Sequence, residues 1–246
     1  MPLSFFKSKR VTPDLSFIGV DMHSHLLPGL DDGLQDVADS VRFIATLKDM
    51  GYQHFICTPH ILHGIHPNSP ETILPALAIM QKALIEADVQ VGTGAAAEYM
   101  VDLEMEEALK KHQTVLPLGK QYVLIEMSYA APSPNIESVI FELQLQGYKP
   151  VLAHPERYNF FHHMPAQLTR LRDMGCLLQL NLLSLSDYYG TGVRRFAEKL
   201  VKENQIDFAG TDLHHQRHLD ALIELASQKS FYQLLQPLKL RNQELA

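Results

Sequence analysis

Two histidines separated by one residue follow an apolar, strand-like run near the start of the chain. The run covers residues 17–20, and the two histidines are His23 and His25. Alternate side chains of an extended segment point the same way, so the two imidazoles share a face. Two neighbouring imidazoles provide half of the ligands of a typical metal site. Because short patterns of this kind also occur at surface loops, the metal hypothesis depends on what the rest of the chain adds.

Residues of metal-ligand type also close most of the other predicted strands. Apolar, strand-like runs at 17–20, 54–58, 89–98, 122–126, 150–153, 177–180 and 208–211 alternate with helical patterns. Six of these seven runs lead directly into a histidine, aspartate or glutamate. The candidate metal ligands are His23, His25, Asp32, His60, Glu98, Glu126, His154, Asp212 and His214.

The alternation of strands and helices predicts a parallel sheet, either open or closed into a barrel. In an open sheet the outer strand ends would lie too far apart to share a site. In a barrel, all carboxyl ends of the strands face one mouth, where barrel enzymes place their chemistry. We therefore expect a barrel, formed by one domain over residues 17–246 after a tail at 1–16.

Composition excludes several other classes of protein. The chain has 246 residues, a formal net charge of -7 and two cysteines. An acidic chain without a long Lys/Arg run is a poor candidate for nucleic-acid binding. No apolar stretch reaches the roughly 20 residues that cross a bilayer, so stable membrane insertion is not expected. The short basic tail with Phe5 and Phe6 leaves weak surface contact open. Two cysteines favour a reducing compartment, and we expect the cytoplasm.

Nine nitrogen and oxygen ligands are too many for one ion but suit two or three divalent ions that share a carboxylate. The absence of a thiolate disfavours a structural zinc site, and the ligand types accept manganese, iron or zinc. With three divalent ions and four carboxylates the site would carry about +2 and attract a phosphate dianion. The natural reaction is hydrolysis of a phosphate ester, with a hydroxide held between two ions as the nucleophile.

Two arginines are candidates for contact with the phosphate. Arg157 lies three residues after His154, and its guanidinium could bind phosphoryl oxygens in a bidentate manner. The alternative for Arg157 is a surface salt bridge with Glu156. Arg217, which follows the run 212–214, is a second candidate for substrate binding. A thiol-based phosphatase is excluded, because neither cysteine is followed six residues later by an arginine.

Six ordered motifs carry a resemblance to a known family. They are DMHSHLLPGLDDG at 21–33, TPH at 58–60, AAEYM at 96–100, LIEMSY at 124–129, LAHPERY at 152–158 and GTDLHH at 210–215. Together they resemble the polymerase and histidinol phosphatase (PHP) superfamily and, within it, the bacterial CpsB/YwqE-type tyrosine phosphatases. The resemblance covers nearly the whole chain from about residue 17.

The resemblance implies a distorted (β/α)7 barrel of the PHP type, with the active site at the carboxyl ends of the strands and a metal centre that commonly uses manganese. The implied first ion is held by His23, His25, Glu98 and Asp212. Glu98 would bridge to a second ion bound by Glu126 and His154, and the third ion would be bound by Asp32, His60 and His214. Arg157 matches the phosphate-contacting arginine of the family, and Arg157, Glu98 and His60 are the residues expected to act in catalysis.

The resemblance also implies a substrate: phosphotyrosine on an autophosphorylating bacterial tyrosine kinase that controls capsule or exopolysaccharide synthesis. Two alternatives stay open at this point. The first is a PHP-type phosphoesterase for a small molecule such as histidinol phosphate. The second is a regulator that binds phosphotyrosine without turnover. The sequence leaves open the physiological metal, the oligomeric state, the cognate kinase and any general acid.

Overall fold

The computed structural model describes residues 11–246. The aromatic and basic stretch around Phe5 and Phe6 therefore lies outside the described residues. Residues 11–16 lie against the rest of the chain: Leu15 is buried, its N–H donates to Met50, and the N–H of Val11 donates to Ser227.

Every pairing between the strands of residues 11–246 is parallel, and the strands form two sheets. The strands are β1 (Val20–Asp21), β2 (His54–Cys57), β3 (His60–Ile61), β4 (Gly92–Ala95), β5 (Glu98–Met100), β6 (Tyr122–Glu126), β7 (Lys149–Ala153), β8 (Leu177–Asn181) and β9 (Phe208–Gly210). The first sheet has the order β1-β2-β4, and the second has the order β3-β5-β6-β7-β8-β9. This is an α/β fold with a curled parallel sheet.

The helices follow the strands, as the alternating sequence pattern predicted. They are α1 (Val37–Asp49), α2 (Pro70–Glu86), α3 (Leu103–Lys110), α4 (Ile136–Leu145), α5 (Asn159–His163), α6 (Pro165–Asp173), α7 (Thr191–Lys202), α8 (Gln216–Ala226) and α9 (Lys229–Leu235), with 3-10 turns at Pro155–Arg157, Leu182–Leu185 and Asn242–Leu245. The start of α1 shows a local cause: Asp36 accepts a hydrogen bond from the N–H of Ala38 and so satisfies one free donor of the first turn.

In the regions of two of the seven predicted strands, the structure has a strand divided in two, and this corrects the sequence-based prediction. The predicted strand at 54–58 corresponds to β2, and a further strand, β3, begins at His60; the predicted strand at 89–98 contains β4 and the first residue of β5. The first break lies at Pro59, which has no N–H to continue the ladder. Ala96 donates to Cys57 and Glu98 donates to Pro59 across the breaks. The two breaks therefore lie side by side, and the sheet changes direction there.

Side chains connect β1 to β9, the two strands at the outer ends of the two sheets. The carboxylate of Asp21 accepts hydrogen bonds from both the N–H and the hydroxyl of Thr211. From the opposite side, the amide of Asn242 donates to the carbonyls of Val20 and Ala209 and accepts from the N–H of Ala209. These bonds hold together the two segments that lead to the HxH pair and to Asp212.

Two groups of buried apolar side chains surround the strands. The larger group fills the space between the strands and the helices. The smaller group contains side chains from β1, β2, β6, β7 and β9 together with Leu245, which extends from the last 3-10 turn. Strands from both sheets thus contribute side chains to one apolar cluster. Within residues 11–246, no helix is both long and apolar enough to span a membrane.

Candidate metal centre

The nine predicted ligands come together around the ends of the strands. His23 and His25 follow β1, while Asp212 follows β9 and His154 follows β7. Glu126 is the last residue of β6. Glu98 and His60 are the first residues of β5 and β3, which begin where the sheet changes direction. The break that the sequence did not predict is therefore the feature that brings these two side chains to the site.

A first group of ligand atoms is fully buried. It consists of one atom from each of His23, His25, Glu98 and Asp212, all within 4.8 Å of one another. The Nε2 atoms of His23 and His25 are 3.3 Å apart. They lie 3.1 and 3.3 Å from Oε2 of Glu98, and 3.4 and 3.3 Å from Oδ1 of Asp212. Two imidazoles and two carboxylates thus point at one small volume.

A second group adjoins the first through Glu98. His60, Glu98 and Glu126 form it, with Nδ1 of His60 3.2 Å from Oε2 of Glu98 and 2.8 Å from Oε1 of Glu126. On the other side of Glu98, Oε1 lies 3.1 Å from Nε2 of His154. Glu98 therefore presents one oxygen to each side, as a bridging carboxylate does.

A third group lies nearest to solvent. His25, Asp32, His60 and His214 contribute to it. Oδ1 of Asp32 is 3.6 Å from Nε2 of both His60 and His214, and the Asp32 side chain is 64% exposed. An exposed carboxylate facing two imidazoles leaves this side of the centre open to a substrate.

The donor set fits divalent metal ions. Nδ1 of His60 has no hydrogen-bond partner within residues 11–246, although two carboxylate oxygens lie within 3.2 Å of it. Nδ1 of the buried His154 also lacks a partner there. Buried imidazole nitrogens are rarely left unpaired. Imidazole and carboxylate ligands without thiolates suit manganese, iron or zinc.

Two of the residues that follow strands at this site have an unusual backbone conformation. His154 has φ 34° and ψ 54°, and Asp212 has φ 51°, so both lie in the left-handed region without being glycine. Such a conformation costs roughly 1–3 kcal/mol and persists where the surrounding structure holds it, most often at functional sites. For His154 the following proline adds to the cost.

Two glycines allow the histidines to pack closely. A Cβ atom on Gly33 would lie 2.3 Å from the carbonyl oxygen of His25, and one on Gly210 would lie 2.6 Å from Cβ of His23. Neither distance is compatible with a real side chain. The glycines of the DDG and GTD motifs are therefore required by the space that the candidate metal-binding histidines occupy.

The ligands perturb one another's pKa values. Burial disfavours the charged form of His23, but Glu98 and Asp212 beside it raise its pKa to about 9. Burial would raise the pKa of Glu98, yet His23 and His60 hold it well below its usual range. Burial and the nearby charge of Glu98 raise the pKa of Glu126. Because an imidazole must be neutral to bind a metal, metal binding at this centre is coupled to proton release.

Of the two predicted phosphate-binding arginines, only Arg157 lies at the centre. Its NH1 group donates to Oδ2 of Asp212 at 2.7 Å, and its side chain is 20% exposed. The alternative salt bridge with Glu156 is not formed, because Glu156 is buried and accepts from the N–H of Asn181 instead. Arg217 is exposed in the first turn of α8, and within residues 11–246 it makes no hydrogen bond or ion pair with the ligands.

Comparison with known proteins identifies the family. A model of the family described as capsular polysaccharide synthesis, CpsB/CapC, matches residues 19–230. The chain belongs to this family. It is 33% identical over 196 residues to the tyrosine-protein phosphatase YwqE of Bacillus subtilis (strain 168), covering 80% of this chain and 77% of that protein. It is 26% identical over 198 residues to the tyrosine-protein phosphatase CpsB of Streptococcus pneumoniae, covering 80% and 79%.

Solved structures support the same family. The chain superposes with a TM-score of 0.76 and 31% identity on a structure described as YwqE from Bacillus subtilis and CpsB from Streptococcus pneumoniae, unique metal-dependent tyrosine phosphatases. This match covers 91% of this chain and 94% of the solved one. The lactonase Lmo2620 from Listeria monocytogenes, at a TM-score of 0.52 and 13% identity, shares the fold only. The family resemblance drawn from the six motifs is thus confirmed.

Sequence reasoning missed the residues that orient the ligands of this CpsB/CapC family member. Nδ1 of His23 pairs with Oε1 of Gln179 at 2.9 Å, and Nδ1 of His25 pairs with Oδ2 of Asp31 at 2.7 Å. These bonds leave both Nε2 atoms facing the centre, as second hydrogen bonds of metal-bound imidazoles usually do. Asp31 could have been found from its place beside Asp32, whereas nothing local singles out Gln179.

Proposed function

We propose that this CpsB/CapC family member is a metal-dependent protein-tyrosine phosphatase. The observation that carries the proposal is the grouping of nine candidate ligands, Glu98 among them, with Arg157 hydrogen-bonded to one of them. An arginine beside such a centre suits a phosphate ester. The names of the relatives YwqE and CpsB, and the description of their solved structures as metal-dependent, support the same reaction.

We further propose that residues 17–246 form one distorted (β/α)7 barrel of the PHP type. The hydrogen bonds of Asp21 and Asn242 between β1 and β9 support this, since they connect the outer strands of the two sheets. The buried apolar group shared by strands of both sheets supports it as well. Counting each divided strand once yields the seven strands of the proposed barrel.

We assign the ligands to three ions as the family resemblance implies, with the four residues of the first group around the first ion. The first ion takes His23, His25, Glu98 and Asp212, the second takes Glu98, Glu126 and His154, and the third takes Asp32, His60 and His214. The proximity of His60 to Glu98 and Glu126 supports a compact centre in which neighbouring ions share ligands. Manganese is the proposed metal, with iron and zinc as alternatives that suit the same donors.

When bound, such ions provide a hydroxide nucleophile at neutral pH and polarise phosphoryl oxygens. The chain's own residues do the rest of the work. Arg157 binds the phosphoryl group with the N–H groups that Asp212 does not occupy. Glu98 belongs to the first and second groups and His60 to the second and third, so both side chains lie beside the space where a reacting phosphate would bind. Arg217 stays a proposed substrate contact that would act from the rim of the site.

The proposed substrate is phosphotyrosine on a bacterial tyrosine kinase that controls capsule synthesis. The family description and the names of the relatives support this choice. A cytoplasmic location is proposed with it, because both cysteines are free and buried, as in proteins of reducing compartments.

Phosphate release by the purified protein tests the proposal. We expect turnover of a phosphotyrosine peptide with manganese, loss of turnover after chelation and recovery when manganese is restored. We expect Glu98→Ala and His154→Ala to lower kcat/KM at least about 100-fold, because each removes a ligand. The control is His163→Ala, which removes an exposed histidine of α5 away from the ligands.

Four outcomes would contradict the proposal in different ways. Turnover in metal-free protein would refute the metal-dependent reaction, and full activity of either ligand variant would refute the site assignment. Turnover of histidinol phosphate instead of the peptide would move the function to a small-molecule phosphatase. Binding of the peptide without any turnover would identify a regulator.

A further inference from the structure

Two tyrosines outside the ligand set hold the guanidinium of Arg157. Its Cζ atom lies 4.8 Å from the ring centroid of Tyr129 and 4.3 Å from that of Tyr189. Both distances are within the range of cation–π attraction. The rings come from different loops, one after β6 and one after β8. The arginine side chain is thus fixed by two rings and one carboxylate.

Tyr189 is itself fixed in place. It is half-buried, and its hydroxyl accepts a hydrogen bond from Nδ2 of Asn181 at 3.3 Å. The same Nδ2 donates to Oδ2 of Asp212 at 2.8 Å. Asn181 therefore connects the ring over Arg157 to the carboxylate that Arg157 binds. Movement of Tyr189 would disturb the position of the guanidinium relative to the ligands.

Tyr129 has a different character, because the residue is 46% exposed. Its ring stacks on His154 at 5.8 Å between centroids and lies 5.4 Å from Tyr158. The hydroxyl of Tyr158 accepts a hydrogen bond from the N–H of Met127, which anchors the start of this loop. Tyr129 is therefore a fixed aromatic side chain with a large exposed part at the edge of the metal centre.

The guanidinium retains N–H groups for a ligand. Of its five N–H donors, the hydrogen bonds within residues 11–246 use only NH1, toward Asp212. Tyr129 lies against this guanidinium and is partly exposed, so its ring borders space that the ester group of a phosphate bound to the remaining donors can enter. An aromatic ester group would meet an aromatic ring there, whereas a short alkyl group would not reach it.

We propose that Tyr189 is a positioning residue for Arg157 and that Tyr129 selects phosphate esters of aromatic alcohols by contact with the ester ring. This inference rests on the proposed function only for the identity of the reaction. The selection itself is a property of binding and can be measured without turnover.

The test uses manganese-loaded protein and two non-hydrolysable probes, phenylphosphonate and methylphosphonate. We expect the wild type to bind phenylphosphonate about tenfold more tightly, the scale of one good aromatic contact. Tyr129→Leu keeps an apolar side chain but removes the ring, and we expect it to reduce this ratio to less than about threefold. Tyr129→Phe should retain the ratio, because the ring and not the hydroxyl makes the contact.

Replacement of Tyr189 should change the affinities for both phosphonates by the same factor. We expect Tyr189→Leu to weaken both phosphonates by a similar factor of about five, the scale of one cation–π contact, and Tyr189→Phe to restore binding. The matched control is Tyr148→Leu, since Tyr148 precedes β7 at the end of the strand opposite to the ligands. Metal content is measured for every variant, so that affinities are compared at equal loading.

The inference is overturned if Tyr129→Leu keeps the wild-type ratio, or if Tyr189→Leu leaves both affinities unchanged. Parallel phosphate-release assays separate this failure from that of the proposed function. Loss of selectivity in Tyr129→Leu without any turnover by the wild type would refute the phosphatase and support the aromatic selection. Turnover of phosphotyrosine peptide by the wild type, with unchanged selectivity in Tyr129→Leu, would support the phosphatase and refute the aromatic selection.

Discussion

Replacement of Asn242 by alanine tests whether the last turn of the chain holds the two sheets together. The buried amide of Asn242 makes three hydrogen bonds, at 2.8 Å to Val20 and at 2.6 and 3.0 Å to the carbonyl and N–H of Ala209. A hydrogen bond contributes about 1 kcal/mol net, and a buried group left without a partner costs more. We therefore expect Asn242→Ala to lower the free energy of unfolding by about 3 to 5 kcal/mol.

Urea unfolding measures this loss directly, and thermal unfolding should show a decrease in Tm of about 10 °C, from the usual 2–4 °C per kcal/mol in chains of this size. Asn242→Asp is nearly isosteric but places carboxylate oxygens against two carbonyls, so it should be at least as destabilising. The control is Gln243→Ala, in the same turn but exposed. A loss below about 1 kcal/mol in Asn242→Ala, or one no larger than in Gln243→Ala, would refute the reasoning.

Asn242→Ala should also weaken metal binding. β1 leads into His23 and His25, and β9 leads into Asp212. Loosening of the contact between these strands would increase the distances between the ligand atoms of the first group. We expect Asn242→Ala to bind manganese more weakly than Gln243→Ala at a temperature where both are folded. Equal affinities would show that Thr211 and Asp21 hold the strands without Asn242.

Two further predictions concern residues with no role in catalysis. Gly210→Ala should lower metal content and activity together, because its Cβ would displace His23, whereas Gly94→Ala, with no atom closer than 4.0 Å to the added Cβ, should retain both. Burial raises the pKa of Cys57 and of Cys176 to about 12, which keeps both thiols neutral at pH 8. We therefore expect iodoacetamide to modify neither cysteine in the folded protein and both in urea. Modification of the folded protein as fast as that of a free thiol would contradict this prediction.

The chemistry of the site could be predicted because it depends on residue types at predictable places. Parallel strands joined by helices bring their carboxyl ends to one side, so ligand types at those ends must lie near one another. His154 and Asp212 illustrate this, since each directly follows a predicted strand. The same reasoning placed Arg157 beside His154, and the structure puts its guanidinium on Asp212.

What the sequence did not reveal depends on contacts between distant segments. Gln179 orients His23 across 156 residues of chain, and no local pattern distinguishes it from any other glutamine in a strand.

The carboxylate of Asp212 contacts both parts of the proposed site, the candidate metal-binding histidines and the arginine. Its Oδ1 faces the imidazoles of His23 and His25, while its Oδ2 accepts hydrogen bonds from Arg157 and Asn181. One side chain, held in a left-handed backbone conformation, therefore fixes the distance between the proposed metal ligands and the guanidinium proposed to bind phosphate. Since a phosphoryl group must contact both at once, this fixed distance is what a phosphatase needs before any substrate arrives. The same geometry explains why the rings over Arg157, which lie outside the ligand set, can still affect which phosphate esters the centre accepts.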